Sequence, residues 1–249
     1  SAAIDREDIV KTLYLGMGRP AAWALNSSSP HWSKEIAEII EAASKRDLKL
    51  ANDLLDKLGL KDTNNDKIRE YPNGKPVTIL VDVASELTIH MQAGEMIVRN
   101  WREVGLDARL YTVSRSVLFA RAEAQRTSHV YVWGADASDI PMLRTGNEPF
   151  ALIRTQPSRL LEGEKVPDEV QKLFDLQDRI YAEIDPAKAN QLIYEMAKLR
   201  LDYAIDPHLV ADVPIIVIRS NRMGNVPDVG YSLQTYIYEK PEQFYMKEG

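Results

Sequence analysis

The sequence lacks cysteine altogether, and histidine is sparse among its 249 residues. Without cysteine, disulfides, zinc sites built on thiolates and cysteine nucleophiles are excluded. The four histidines, at positions 31, 90, 129 and 208, show no spacing typical of a metal-binding helix. A Gly-x-Ser-x-Gly turn and a Walker motif are also missing. We therefore expect no metal and no cofactor.

Long apolar runs and an excess of basic charge are missing as well. No run approaches the roughly 20 apolar residues that a membrane-spanning helix needs. The net charge of −6 argues against a nucleic-acid partner, because phosphate binding usually needs a basic face. With 45% hydrophobic and 27% charged residues, the composition is typical of a globular protein with a sizeable core. The length allows one large domain, or a domain plus an extension.

Apolar periodicity and turn residues predict an α/β fold. We expect helices at 5–15, 32–43, 47–58, 86–104, 115–125 and 168–183, and one that opens at Asp185. Strands are expected at 67–71 and 76–83, around an Asn-Gly turn, and at 106–113, 129–133 and 213–219. The alternation of strand and helix predicts a small open mixed sheet flanked by helices. Ile89, Ile184 and Tyr203 are expected to face the core.

Two aspartates, Asp136 and Asp139, are the best case for catalysis. They could serve as a paired acid and base, which would make the protein a hydrolase. Two nearby aspartates in a loop are more commonly turn formers or helix caps. The Gly16-Met17-Gly18 fragment follows a helix rather than a strand, which is the wrong context for a dinucleotide site. The residues therefore favour a protein that is not an enzyme.

Four stretches together resemble the peptide, nickel and oligosaccharide class of extracellular solute-binding proteins, family 5, which serve ABC transporters. They are residues 3–10 with 15–21, 51–60 with 73–76, 101–107 (WREVGLD), and 132–139 (VWGADASD). They occur in the family's order over most of the chain. The resemblance begins at the family's second lobe, so the N-terminal lobe is expected to be missing from this sequence.

The resemblance implies a lobe of the type II periplasmic-binding-protein fold. Residues 1–220 would form the second, C-terminal lobe, and 221–249 an extension that returns to the missing first lobe. Two such lobes trap an oligosaccharide or oligopeptide by hinge closure, and the closed form docks on an ABC transporter permease. The location would be periplasmic or extracellular, with lipid anchoring through the missing N-terminus. An interaction module without a transport role stays open as an alternative.

The resemblance also implies a ligand site after the strand at 129–133. Trp133, Gly134, Asp136 and Asp139 follow that strand, where open α/β sheets place ligands. In peptide-binding members an aspartate in this loop accepts the ligand's amino group, and Asp136 occupies that position. Asp136 could equally cap the following turn.

Two further observations bear on the ligand. Trp23 could stack on a sugar ring or an apolar side chain, or it could cover the core of the lobe. Dipeptide-binding members carry an arginine just after the strand equivalent to 76–83, whereas this chain reads Val83-Ala84-Ser85-Glu86. That difference argues against dipeptides and leaves longer peptides or oligosaccharides. The segment 218–227 looks like the branch of the family that includes sugar binders, which gives oligosaccharide a slight preference.

Overall fold

The described part of the chain contains a parallel sheet and a group of packed helices. A computed structural model describes residues 1–23, 25–29, 31–121, 129–132, 165–204, 207–214, 220–225 and 245–247. The helices are α1 (Arg6–Leu13), α2 (Lys34–Ser44), α3 (Leu48–Lys57), α4 (Thr88–Arg102), α5 (Arg115–Phe119), α6 (Asp168–Ala182) and α7 (Pro186–Tyr203). The strands are β1 (Arg19–Pro20), β2 (Thr78–Ala84), β3 (Asp107–Val113), β4 (Val130–Tyr131), β5 (Val210–Ala211), β6 (Met223–Gly224) and β7 (Tyr245–Met246).

Strands β2, β3 and β4 form a parallel sheet in the order β3-β2-β4. The register runs from Thr78 opposite Asp107 to Ala84 opposite Val113. On the other side of β2, Val81 lies opposite Val130. Parallel neighbours need a long crossover, and α4 supplies it between β2 and β3. All three strands therefore end at the same edge of the sheet.

Helix α4 packs closely on one face of the sheet. At Gly94 an added Cβ would lie 2.8 Å from Leu110 Cδ1 and 2.8 Å from Val83 Cγ1. The missing side chain thus lets the helix approach the strands. We call α1, α4, α5 and the three strands the sheet region. Its core contains Ile4, Ile9, Val81, Val83, Ala93, Met96, Ile97, Val98, Ala108 and Val132.

Helices α2, α6 and α7 form a second core, which we call the helical region. Ser33 caps α2 by accepting a hydrogen bond from the Ile36 backbone N–H at 3.2 Å. Asp185 caps α7, and Pro186 occupies the first turn, where a missing N–H costs nothing. The buried side chains come from all three helices and from the segment around β1 and β5: Ala21, Trp23, Leu25, Ile36, Ile40, Leu176, Ile180, Leu192, Ile193, Met196, Ala197 and Ala211.

The segment after α7 returns between α1 and β1. The buried guanidinium of Arg6 donates from Nε to the His208 carbonyl at 2.8 Å and from Nη2 to the Ser1 hydroxyl at 2.7 Å. Burial lowers the pKa of Arg6 to about 10. Strand β1 pairs antiparallel with β5, and Arg19 Nε donates to Asp212 at 2.7 Å. These contacts fix the return segment against the start of the described chain.

The predicted α/β class is confirmed, with local corrections among the strands. The strand expected at 67–71 is wrong: Glu70 forms only isolated bridges to Lys61 and Pro76. Here the neighbouring Arg69 backbone N–H bonds the Gly105 carbonyl at 2.7 Å instead of joining a sheet. Of the strand expected at 213–219, residues 213 and 214 lie outside any strand, and the short strand β5 precedes them at Val210–Ala211. Residues 215–219 lie outside the described part.

Three side chains that we expected in the core are exposed. Ile89 is 44% exposed, Ile184 95% and Tyr203 46%. Each lies at a helix end or just beyond it: Ile89 in the first turn of α4, Ile184 after α6, and Tyr203 at the end of α7. The 3.6-residue period predicts which side chains are buried in the middle of a helix. It does not predict burial at the helix ends, where the packed neighbour no longer covers the helix.

Candidate functional site

The carboxyl-terminal edge of the parallel sheet is the candidate site. Strand β2 ends at Ala84 and is followed by Ser85 and Glu86, while β3 ends at Val113 and is followed by Ser114 and Arg115. The Ser85 backbone N–H donates to the Val113 carbonyl at 2.8 Å, so the ends of the two strands stay together. Ligands of open α/β sheets bind outside such an edge.

Glu86 and Arg115 meet at this edge. Both carboxylate oxygens of Glu86 accept hydrogen bonds from the Arg115 backbone N–H, each at 3.1 Å, and one also accepts from the Ser85 hydroxyl at 3.2 Å. The Arg115 N–H holds the pKa of Glu86 below its ordinary value, and the Ser85 hydroxyl adds to the effect. Glu86 therefore stays ionised and fixes the backbone at the start of α5.

Serine side chains complete the polar part of the edge. The Ser114 hydroxyl accepts from the Val117 backbone N–H at 3.4 Å and lies 3.2 Å from the Ser116 hydroxyl. The Arg115 guanidinium lies over the Phe119 ring, 5.8 Å from its centroid. Among the described residues, the edge thus presents hydroxyls and the Arg115 guanidinium on a backbone held by hydrogen bonds to Glu86 and Ser114.

Two exposed apolar side chains lie close to these polar groups in sequence. Ile89, in the first turn of α4, and Val117, in α5, are each 44% exposed. Exposed aliphatic side chains beside fixed polar groups are typical of ligand sites.

Below the edge, a buried aspartate pairs with a partly exposed arginine. Asp82 lies in the middle of β2 with 0% exposure. It accepts hydrogen bonds from Arg121 Nε at 2.8 Å and Nη2 at 3.3 Å. These bonds raise the pKa of Arg121 above its ordinary value. The guanidinium also lies 5.8 Å from the Tyr111 ring centroid. The pair fixes the segment after α5 to the centre of the sheet.

The site residues predicted from the sequence fall mostly outside the described part of the chain. Trp133, Gly134, Asp136 and Asp139 belong to a stretch that is not described. The residue before them is described: Val132 is buried, and its N–H donates to the Asp82 carbonyl at 3.0 Å. Their role in ligand binding stays a prediction.

Trp23 lies in the core of the helical region and is 5% exposed. The Arg200 guanidinium lies 5.9 Å from its ring centroid. In this arrangement Trp23 covers the core, which is one of the two roles considered for it. Its stacking on a ligand stays a prediction.

Sequence reasoning missed the Glu86–Arg115 contact and the Asp82–Arg121 pair. The sequence contains one indication of the ion pair: Asp82 interrupts a mostly apolar run in a predicted strand. A buried carboxylate in a strand needs a charged or hydrogen-bonding partner. The partners themselves are 29 and 39 residues away in sequence, so no local pattern could identify them.

One group of carboxylates has the composition of a metal site. Asp62, Asp66 and Glu70 each place an oxygen within 4.8 Å of the others. Glu70 accepts from the Thr63 N–H at 2.7 Å and hydroxyl at 2.8 Å, and Asp62 accepts from the Lys67 N–H at 2.9 Å. These bonds close the loop, and they account for the arrangement without an ion.

Within the described residues, no helix is long and apolar enough to cross a membrane.

Comparison with known proteins identifies the family to which this chain belongs. Residues 1–148 match the family described as bacterial extracellular solute-binding proteins, family 5, in its middle part. The chain therefore belongs to this family, whose members are binding proteins. No curated protein matches the chain.

Solved structures share the fold. An oligopeptide-binding protein OppA is 24% identical, with a TM-score of 0.70 over 100% of this chain and 42% of that one. AppA from Bacillus subtilis, in complex with a nonapeptide, is 16% identical, with a TM-score of 0.68 over 99% of this chain and 46% of that one. MelB from Agrobacterium fabrum, in complex with stachyose, is 16% identical, with a TM-score of 0.64 over 82% and 31%. This chain spans less than half the length of these proteins.

Proposed function

We propose that this chain is the ligand-binding lobe of an extracytoplasmic solute-binding protein that captures an oligosaccharide or oligopeptide. A first lobe, outside this sequence, closes on it by a hinge, and the closed form delivers the ligand to an ABC transporter permease. The observation that carries the proposal is the exposed carboxyl edge of the parallel sheet, where fixed polar groups and exposed aliphatic side chains meet.

The family and the structural neighbours support this ligand class. Among the structurally similar proteins, AppA is in complex with a nonapeptide and MelB with stachyose. Trp133, Gly134, Asp136 and Asp139 follow β4 in sequence and would contribute to the same edge. Asp136 would accept the amino group of a peptide or a hydroxyl of a sugar.

The division of the chain is part of the proposal. Residues 1–220 form the lobe, and 221–249 return to the first lobe. The short pair of β6 and β7 supports this division, because Tyr245 and Met246 are 58% and 57% exposed and could pack against another surface. The protein works outside the cytoplasm, anchored by a lipid at the N-terminus of its first lobe.

A thermal-shift experiment on the two-lobe protein tests this function. Peptides, oligosaccharides and nickel chelates are added separately, and a ligand at 100 times its dissociation constant adds about 2.7 kcal/mol of stability. We expect a peptide or an oligosaccharide to raise the melting temperature. Residues 1–249 alone offer one side of the cleft, so we expect weak binding or none. A two-lobe protein that responds to none of these compounds would contradict the proposal.

The alternatives lack a supporting observation. A hydrolase would need Asp136 and Asp139 in a closed reaction centre, and neither residue lies in the described part of the chain. An interaction module on the same fold would show no small-molecule response in the thermal-shift experiment.

A further inference from the structure

One face of α3 exposes leucines that the core does not use. Leu50, Leu54 and Leu58 are 46%, 47% and 70% exposed, and Leu58 continues the helix as its C-cap in a helical conformation. The spacing of four residues places them in one row along the helix, over about 12 Å. We call these three side chains the leucine row. A single exposed leucine is common on protein surfaces, but a contiguous row marks an interaction surface.

The other sides of α3 hold it to the body of the protein. Ala51 packs in a small core with Val77 and Leu106. The Arg69 guanidinium donates from Nη2 to Asn52 Oδ1 at 2.7 Å. Because the helix is already fixed, its exposed face loses little conformational freedom when it meets a partner.

The leucine row lies away from the candidate ligand site. Val77 directly precedes β2 and Leu106 directly precedes β3, so α3 packs at the amino ends of these strands. The candidate site lies at their carboxyl ends. A ligand at that edge, and a first lobe that closes on it, would therefore leave the leucine row uncovered.

A row of charged side chains runs beside the leucine row. Lys49, Asp53 and Lys57 each stand one position before a leucine, so this row reads positive, negative, positive. Lys49 Nζ donates to Asp53 at 2.6 Å. A carboxylate accepts several hydrogen bonds, so Asp53 can bind a second cation beside Lys49.

This pattern is self-complementary in an antiparallel pair of α3 helices. A two-fold axis at Leu54 sets this leucine against its own copy and sets Leu50 against Leu58 of the second copy. The same axis brings Lys57 level with Asp53 of the second copy, to within about 3 Å along the helix. Two symmetric ion pairs would then flank the leucines, which is the charge complementarity that a symmetric interface needs.

We infer that the leucine row is a self-association surface, through which two copies of this protein form a reversible dimer with antiparallel α3 helices. The dimer does not depend on the ligand, so it goes beyond the proposed function. Three leucines from each copy make a small interface, for which we expect a dissociation constant of roughly 10–100 µM.

Sedimentation equilibrium of the two-lobe protein, at concentrations from about 1 to 300 µM that bracket this constant, tests the inference. Leu54→Glu should weaken self-association at least roughly 100-fold, because two carboxylates would meet at the two-fold axis. Leu58→Glu, at the most exposed position of the row, should weaken it roughly 10-fold.

Leu15→Glu is the matched control. Leu15 is 82% exposed and lies outside α3, in the turn after α1. The same substitution at this position should leave self-association unchanged. All three variants should keep the wild-type melting temperature at low protein concentration.

Two charge variants test the antiparallel arrangement. Asp53→Lys and Lys57→Asp should each weaken self-association roughly 10-fold, because like charges then meet across the interface. An equimolar mixture of the two variants should regain the wild-type association, since a mixed dimer restores both ion pairs. Absence of this recovery would overturn the antiparallel arrangement.

Two results would overturn the dimer itself. One is a monomer mass at every concentration. The other is a lower melting temperature of Leu54→Glu with no change in mass, which would show that another part of the same protein covers the leucine row. Neither result affects the proposed function, because the ligand response in the thermal-shift experiment is measured separately.

Discussion

The sheet region and the helical region differ in what they bury. The sheet region encloses a carboxylate, Asp82, at 0% exposure and holds it with Arg121. The helical region has a largely apolar core, in which the buried Arg200 lies against the Trp23 ring and the buried Ser44 donates to the Ile40 carbonyl of the same helix. The stability of the helical region thus depends mainly on apolar packing. The sheet region also depends on the Asp82–Arg121 ion pair next to the candidate site. A buried charge seldom stabilises a fold relative to an apolar residue, so its presence beside a site suggests a role in positioning.

The largest effect should come from the helical region. Ile193 is completely buried between α7 and its neighbours. Ile193→Ala should lower the free energy of unfolding by about 4 kcal/mol, because it removes apolar contacts and leaves a cavity. Urea unfolding measures the change. Ile184→Ala, at an isoleucine that is 95% exposed, should change it by less than about 0.5 kcal/mol. Equal effects of the two variants would refute the packing of this core.

In the sheet region, the ion pair should give the next largest effect. Arg121→Met leaves Asp82 buried without its partner and should cost about 3 kcal/mol. The double variant Asp82→Leu with Arg121→Met should recover most of this loss in the same urea measurement. If the double variant is as unstable as the single one, the pair contributes through packing rather than charge. If the double variant regains full stability but binds the ligand more weakly, the ion pair serves ligand binding rather than stability. That result would distinguish the sheet region from the helical region more sharply.

Close packing of α4 on the sheet predicts a smaller effect. Gly94→Ala should destabilise the protein by about 1–2 kcal/mol, because the new methyl group would lie 2.8 Å from Val83 and Leu110 side chains. In an exposed helix the same substitution would stabilise by up to about 1 kcal/mol. Thermal unfolding monitored by circular dichroism gives the sign, and a stabilised variant would contradict the close approach.

The smallest expected effect is a pH dependence at the amino end of β3. Hydrogen bonds from Arg109, and then from Thr78, hold the pKa of Asp107 below its ordinary value. A carboxyl whose pKa is lowered by folding stabilises the folded state above the unfolded pKa of about 4 and loses that contribution as pH falls through the lowered value. Asp107→Asn should cost less than about 1 kcal/mol at pH 7, since Arg109 is largely exposed. The difference from wild type should vanish near pH 2. A constant difference from pH 7 to pH 2 would contradict this assignment.

The sequence predicted the helices, but not the contacts at the described edge of the sheet. Caps and periodicity placed α3 at 47–58 against the observed Leu48–Lys57, because Asp47 accepts the Leu50 N–H within the same turn. Local signals of this kind suffice for helices. The edge at Glu86 and Arg115 depends on strands paired across about 30 residues, so no local sequence pattern reveals this contact. The predicted residues at 133–139 still await a test.

The Arg6 contacts have a consequence for protein engineering. One guanidinium reaches both the Ser1 hydroxyl and the His208 carbonyl, so two points 207 positions apart in sequence lie within the span of a single side chain. A linker from Ser1 to a position just after Asp212 would keep β5 and the Asp212–Arg19 ion pair, and new termini could open in the exposed loop around Asn64 and Asn65. Circular permutation tolerates such loops. The sheet and helical regions would then form a self-contained module that could be inserted as a unit into the loop of another protein.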